Sequence, residues 1–160
     1  MERRRKQGIT SGKMPSLHLV FTGNPGTGKT TVAEFIGAMY RQIGLLSRGH
    51  VVAVSRTDLV GEYIGHTSPK TKKVIKSALD GVLFIDEAYS LTKTYTNNHN
   101  DFGTEVIEVL LQEMEKYRDR LVVIVAGYQK PMDRFLNSNP GLRGRFPENN
   151  VINFPNYSNE

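Results

Sequence analysis

The chain has 160 residues, a length that suits one compact domain able to bury a core without covalent staples and that leaves no room for a second complete domain. It contains no cysteine, which excludes disulfides and thiolate metal sites and accords with a reducing compartment. The formal net charge of +5 raises the question of nucleic acid, but only Arg3-Arg4-Arg5-Lys6 forms a basic cluster. The remaining basic residues are dispersed among acids, so the cluster reads as a solvated terminus and nucleic acid is not an expected partner.

His18, His50, His66 and His99 are scattered and read as incidental rather than as a metal site. No apolar stretch approaches the length of a membrane span, and no hydrophobic signal region follows the basic N-terminus, so a cytoplasmic protein without membrane contact is expected.

Apolar runs and helical patterns alternate from Leu17 onward, which predicts an α/β domain with a largely parallel sheet. Leu17 to Phe21 is the first strand. Gly23-Asn24-Pro25-Gly26-Thr27-Gly28-Lys29-Thr30 follows it and fits the phosphate-binding pattern Gly-x-x-x-x-Gly-Lys-[Ser/Thr], in the strand-to-helix setting that such a loop requires. Glycines there let successive N–H groups turn inward onto phosphate oxygens, and the helix that follows adds the positive end of its dipole. Lys29 is placed to meet the β and γ phosphates and the Thr30 hydroxyl to ligate Mg²⁺.

The next helix runs to about Ile43, with Val32, Phe35, Ile36 and Met39 on one face and Gly44 at its end. Val51 to Val54 is a second strand, and a polar segment from Asp58 to Pro69 leads into a helix ending near Leu79. Val82 to Ile85 is a third strand. From Leu91 to Gly103 the chain is rich in Thr, Asn and Tyr and reads as a long loop. A helix from about Thr104, its expected cap, to Tyr117 presents Val106, Ile107, Leu110, Leu111, Met114 and Tyr117 for packing, and Glu105, Glu108, Gln112 and Glu115 to solvent. Leu121 to Ala126 is a continuously apolar fourth strand, as expected for one covered on both faces, and Val151 to Phe154 a short fifth.

Asp86 and Glu87 follow the third strand directly. Two carboxylates at the end of a buried strand complement a phosphate loop: Asp86 can hold the Mg²⁺ shell, and Glu87 can orient and help deprotonate the water that attacks the γ phosphate. A glutamate beside the metal aspartate favours hydrolysis, because the acceptor it serves is water.

GNPGTGKTT at Gly23 to Thr31 and LFIDEA at Leu83 to Ala88 resemble the Walker A and Walker B elements of an AAA+ ATPase. DLVGEYIGHT (Asp58 to Thr67), FIDEAYSL (Phe84 to Leu91), DFG (Asp101 to Gly103), VIVAGY (Val123 to Tyr128) and NPGLRGRF (Asn139 to Phe146) are similar, more narrowly, to the CbxX/CfqX family, which includes the stage V sporulation protein K group and red-type Rubisco activases. The resemblance covers Leu17 to Tyr157. It implies a P-loop NTPase fold, three layers α/β/α around a five-stranded parallel sheet of order 5-1-4-3-2, with ATP and Mg²⁺ as cofactors, Thr31 within the nucleotide loop, and assembly into a ring, commonly of six subunits. It also implies that Tyr63-Ile64-Gly65 lines the ring's pore and grips a polypeptide. One of Arg143 and Arg145, set in a Pro-Gly-bearing turn, is implied to be an arginine finger reaching a neighbour's γ phosphate, with Arg145 preferred because it precedes Phe146.

Tyr128 stands where many AAA+ proteins carry a polar sensor Asn, so no direct positioning of water is expected of it. Asp101-Phe102-Gly103 matches a kinase tripeptide by coincidence, since the other kinase motifs are absent, and Asn156-Tyr157-Ser158 fits a glycosylation acceptor that a cytoplasmic chain does not use. Proteins resembling this one continue into a small helical lid, which is absent before Glu160. The expected organisation is therefore a basic segment over residues 1–16 that ends a truncated helix, a large α/β nucleotide-binding subdomain over 17–157, and the start of a missing lid at 158–160. The expected function is the ATP-hydrolysing core of a protein-remodelling ATPase, with a sporulation role first, and a red-type Rubisco activase or a nucleotide-gated assembly module as alternatives.

Overall fold

The computed structural model describes residues 16–24, 26–92 and 102–155. The basic N-terminal segment up to residue 15, Pro25, residues 93–101 of the expected loop, with His99 and Asp101, and residues 156–160 lie outside them. Five strands, β1 (Leu19–Thr22), β2 (Val51–Val54), β3 (Gly81–Ile85), β4 (Leu121–Gly127) and β5 (Val151–Asn153), form one sheet in the order β2-β3-β4-β1-β5. All its pairings are parallel, with Leu19 opposite Ile124, Phe84 opposite Ile124, Val52 opposite Leu83 and Phe21 opposite Ile152. This is the expected α/β sheet order read from the other edge.

The helices are α1 (Lys29–Gln42), α2 (Arg56–Leu59), α3 (Thr67–Ser77), α4 (Phe102–Lys116), α5 (Gln129–Asn137) and α6 (Pro140–Arg145), and a short 3₁₀ turn spans Ala88–Leu91. Among them none is long and apolar enough to cross a membrane.

β3 and β4 are buried along their whole length, which explains their unbroken apolar runs. Alternation then divides the core. Leu83, Ile85, Val123 and Val125 meet Ile75, Leu110, Met114, Phe135 and Phe146 on one face, while Val82, Phe84, Val122 and Ile124 meet Ala33, Ile36 and Leu46 on the other.

The α1 face departs from the helical grouping expected of it. Ala33, Ile36 and Gly37 are buried with Lys29, whereas Phe35 is 67% and Met39 38% exposed. The cause is a long-range approach: a Cβ on Gly37 would collide with the Gly49 carbonyl oxygen. Only a helix rotated to turn its smallest residues inward can sit that close. Gly44 follows the helix as expected, and Leu45 N–H bonds the Tyr40 carbonyl at 2.8 Å to close the end.

The segment expected to be a polar connection contains α2, one turn whose Asp58 carboxylate accepts the Ser55 N–H at 3.0 Å. α4 begins at Phe102 rather than at a Thr104 cap, because Gly103 packs directly on the Leu91 carbonyl and carries the first turn onto the 3₁₀ segment. Glu105 is half-buried instead of free in solvent, accepting a bond from Ser68 Oγ at 2.6 Å. Arg143 and Arg145 lie on a helix, not a turn: Asn139 caps α6 through Oδ1, taking the Gly141 N–H at 2.8 Å, with Pro140 opening it. His18 is structural, its Nδ1 accepting the Val123 N–H at 2.9 Å beside the Phe146 ring.

Candidate active site

β1 delivers the chain to Gly23, whose N–H bonds the Gly127 carbonyl at 3.1 Å and whose φ of 144° no L-residue favours. A Cβ there would stand 2.6 Å from the Phe154 carbonyl oxygen, so the first glycine is wedged between the ends of β4 and β5. Gly26 and Gly28 also have positive φ, 80° and 89°, but with open space around them. They are needed for conformation, not for room, and the space they leave is the cradle that a phosphate chain would fill.

Thr27 Oγ1 donates to the Asn24 carbonyl at 2.9 Å and steadies the loop. Lys29 as a residue is 8% exposed, and its ammonium donates to the Gly23 carbonyl at 2.7 Å and to the Asn24 carbonyl at 3.1 Å. Burial holds its pKa below the usual lysine value, opposed by the nearby Asp86 and Glu87 carboxylates.

β3 brings up the carboxylates. Asp86 N–H bonds the Val54 carbonyl at 2.9 Å, and Asp86 Oδ1 accepts the Glu87 N–H at 2.9 Å. Glu87 takes a left-handed conformation, φ 51° and ψ 47°, uncommon for a residue with a Cβ, and opens the 3₁₀ turn. Both carboxylates are exposed to a cleft of about 200 Å³ lined by Gly23, Gly26, Gly28, Lys29, Thr30, Thr31, Phe84, Asp86, Glu87, Gly127 and Tyr128. It opens beyond the carboxyl ends of β1, β3 and β4, where the strand order reverses and open α/β sheets bind ligands.

The structure therefore brings together most of the expected phosphate-loop and carboxylate residues. Asn24 and Thr27 support the loop from behind, and Pro25 lies outside the described residues. Phe84 and Gly127 are cleft residues that the sequence did not single out, and Tyr128, set by the resemblance at a sensor position, lines the cleft with them. Tyr128 stands on the wall with its ring centroid 6.4 Å from that of Tyr89, which itself lies where a Cβ on Gly127 would go.

The remaining candidates are elsewhere. Arg145 turns inward, its guanidinium 3.4 Å from the Leu111 carbonyl, 3.5 Å from the Gly141 carbonyl and 3.6 Å from a Glu115 carboxylate oxygen. Arg143 Nε donates to Asn137 Oδ1 at 3.1 Å. Tyr63 and Ile64 are 65% and 75% exposed beside Gly65, and Tyr63 meets the His66 ring edge-on.

Among the described residues no three His, Cys, Asp or Glu side chains are grouped to hold a metal. The donors that do line the cleft, a threonine hydroxyl and an aspartate, fit a cation whose coordination is completed by phosphate and water.

Comparison with known proteins agrees with this geometry. The profile of the ATPase family associated with various cellular activities (AAA) matches residues 19–154. Protein CfxQ of Xanthobacter flavus is 57% identical over 154 residues, covering 96% of this chain and 47% of that protein. The chloroplastic ribulose bisphosphate carboxylase/oxygenase activase of Cyanidioschyzon merolae is 54% identical over 157 residues, covering 98% and 52%. Stage V sporulation protein K of Bacillus subtilis (strain 168) is 50% identical over 157 residues, covering 98% and 47%. The chain thus spans about half the length of the curated relatives it matches. With its phosphate loop, its paired carboxylates and a family match across nearly the whole described domain, the chain belongs to the AAA family of ATPases.

Proposed function

We propose that this chain is the Mg-ATP-binding and hydrolysing core of a cytoplasmic, ring-forming ATPase that remodels protein. The observation that carries the reading is the convergence of Gly23 to Thr31 with Asp86 and Glu87 on one cleft. Backbone N–H groups of the loop and of the α1 N-terminus receive the β and γ phosphates, and Lys29 leaves its two loop carbonyls to meet them. Mg²⁺, held by Thr30 and Asp86, would supply charge neutralisation at the phosphate oxygens. Glu87 accepts a proton from water as that oxygen bonds the γ phosphorus and the bond to the β,γ-bridging oxygen breaks, releasing ADP and phosphate.

In a ring, exclusion of bulk water and a cation from the next subunit complete the site; the engagement of Arg145 with α4 favours Arg143 as that cation and Arg145 as the anchor of α6. Exposed Tyr63 and Ile64 present an aromatic and an aliphatic contact to an extended polypeptide.

On the longest natural polypeptide that carries this domain, Glu87→Gln should keep ATP binding while turnover falls by about 10²–10⁴-fold, and Lys29→Ala should weaken binding itself. Turnover unchanged in both would sink the assignment. Tyr63→Ala should leave basal turnover intact and remove its stimulation by polypeptide. The identities to the carboxylase activase and to the sporulation protein motivate two client classes. Restoration of carboxylation by an inhibited carboxylase, present or absent, separates them. ATP-dependent assembly with negligible phosphate release would instead favour the nucleotide-gated module.

A further inference from the structure

Arg56 lies on neither the cleft nor the exposed Tyr63 loop, yet it joins the elements that carry both. Its Nη1 donates to the Ser90 carbonyl at 2.6 Å, across 34 residues of sequence. Ser90 N–H in turn bonds the Glu87 carbonyl at 2.9 Å, so the guanidinium grips the 3₁₀ turn that starts at the left-handed Glu87. A third element closes on it: a Cβ on Gly103, in the first turn of α4, would stand 2.6 Å from Arg56 Nη1.

At its other end Arg56 belongs to α2, whose Val60 N–H bonds the Arg56 carbonyl at 2.9 Å. From there the chain is tied down residue by residue: Lys70 Nζ donates to the Thr57 carbonyl at 2.8 Å and the Val60 carbonyl at 3.0 Å, Thr71 Oγ1 to the Leu59 carbonyl at 2.9 Å, and Gly61 N–H to Thr67 Oγ1 at 2.9 Å. Only after Gly61 is the backbone released, into the exposed Glu62 to His66 stretch. A second tie runs beside the first, since the Asp86 N–H bonds the Val54 carbonyl at 2.9 Å, two residues before Arg56.

We propose that Arg56 is a positioning residue that couples the Asp86–Glu87 turn to the Tyr63–Gly65 loop, by clamping α2 to the Ser90 carbonyl. The proposal rests on the nucleotide reading of the cleft, because it requires the turn to respond to what is bound there. A shift of the turn at Glu87 carries the Ser90 carbonyl with it. The short, charge-assisted bond transmits that shift to α2, which has one helical turn and little stiffness of its own to resist it. The Lys70, Thr71 and Thr67 bonds make α2 and the base of α3 move as one piece, so displacement appears where the tethers end, at Tyr63. Such coupling is a difference in free energy between two loop arrangements, biased by the nucleotide state.

The chain contains no tryptophan, so Tyr63→Trp places a single reporter on the loop. In the full chain its emission is compared with Mg-ADP and with Mg-adenylyl imidodiphosphate, and nucleotide affinity is measured in parallel. With Arg56 present the two ligands should give distinct emission. Adding Arg56→Ala should cut that difference to about one fifth or less while affinity stays within about threefold. Arg56→Lys, whose ammonium can still reach one carbonyl, should restore most of the difference. A merely structural Arg56 would lower the melting temperature and leave the emission difference intact. The proposal is overturned by a full emission difference in folded Arg56→Ala, or by none in the parent reporter. Either result leaves the nucleotide reading standing, which fails separately if neither ligand binds.

Discussion

His18 should make this domain acid-sensitive well above the pH at which carboxylates protonate. Its ring is packed against Phe146, its Nδ1 accepts the Val123 N–H at 2.9 Å, and it stands near the Arg145 guanidinium. Burial first, and the Arg145 charge second, bring its pKa from 6.5 down to about 4. A protonated ring cannot accept at Nδ1, so charging it orphans the Val123 N–H as well as desolvating a cation. Between those two values the unfolded chain binds a proton that the folded chain refuses, and stability therefore rises with pH. The contribution is complete above pH 6.5 and is lost as pH falls toward about 4. At about 1.36 kcal/mol per pH unit the whole effect is about 3 kcal/mol, of which about 2.5 is gone by about pH 4.5. Urea denaturation of the parent and of His18→Asn, whose amide oxygen can accept the same N–H without titrating, checks this. The parent should lose about 2 to 3 kcal/mol more than the variant between about pH 7.5 and pH 4.5. Equal losses in the two proteins would refute the reasoning, since every carboxylate contribution is common to both.

Other outcomes follow from contacts already described. Phe35→Ser should change stability by less than about 0.5 kcal/mol whereas Ile36→Ala should cost about 2 to 4, a split between two residues that helical periodicity placed on one face, measurable by thermal melting. Gly23→Ala should lose nucleotide binding by about tenfold or more, from strain and from displacement of Phe154, with Gly26→Ala showing the strain alone in a titration of both. Asn139→Ala should destabilise by about 1 kcal/mol through loss of the α6 cap. Mixing Arg143→Ala with Glu87→Gln subunits should restore turnover that neither shows alone, because each supplies what the other lacks across a shared interface. Restoration by Arg145→Ala in place of Arg143→Ala, and none by the latter, would reverse the two roles.

The phosphate loop and the carboxylate pair were legible because their chemistry is local: a glycine-lysine spacing and two acids at the end of an apolar run. The strand set was legible for a similar reason, since β3 and β4 are buried on both faces and carry nothing polar to obscure them. Sheet order came through resemblance and not from periodicity. What escaped was set by partners distant in sequence. The rotation of α1 depends on Gly49 meeting Gly37, and Tyr128 joins the cleft because β4 ends beside β3. Arg145 is drawn inward by a carbonyl on α4. Two omissions did carry local signals: Asn139-Pro140 is a helix start, and Met132, Phe135 and Leu136 have the spacing of one buried helical face.

The two bonds from Lys29 to the carbonyls of Gly23 and Asn24 have a bearing on ligand choice. On the proposed reading of the cleft, the ammonium is a placeholder that keeps the loop folded around itself, and arrival of a nucleotide is an exchange of dipoles for anions. A ligand with β and γ phosphates gains from the exchange, a monophosphate gains little and a nucleoside gains nothing. Discrimination among them therefore resides in the polyphosphate chain and weakens with rising salt, before any contact to the base is considered.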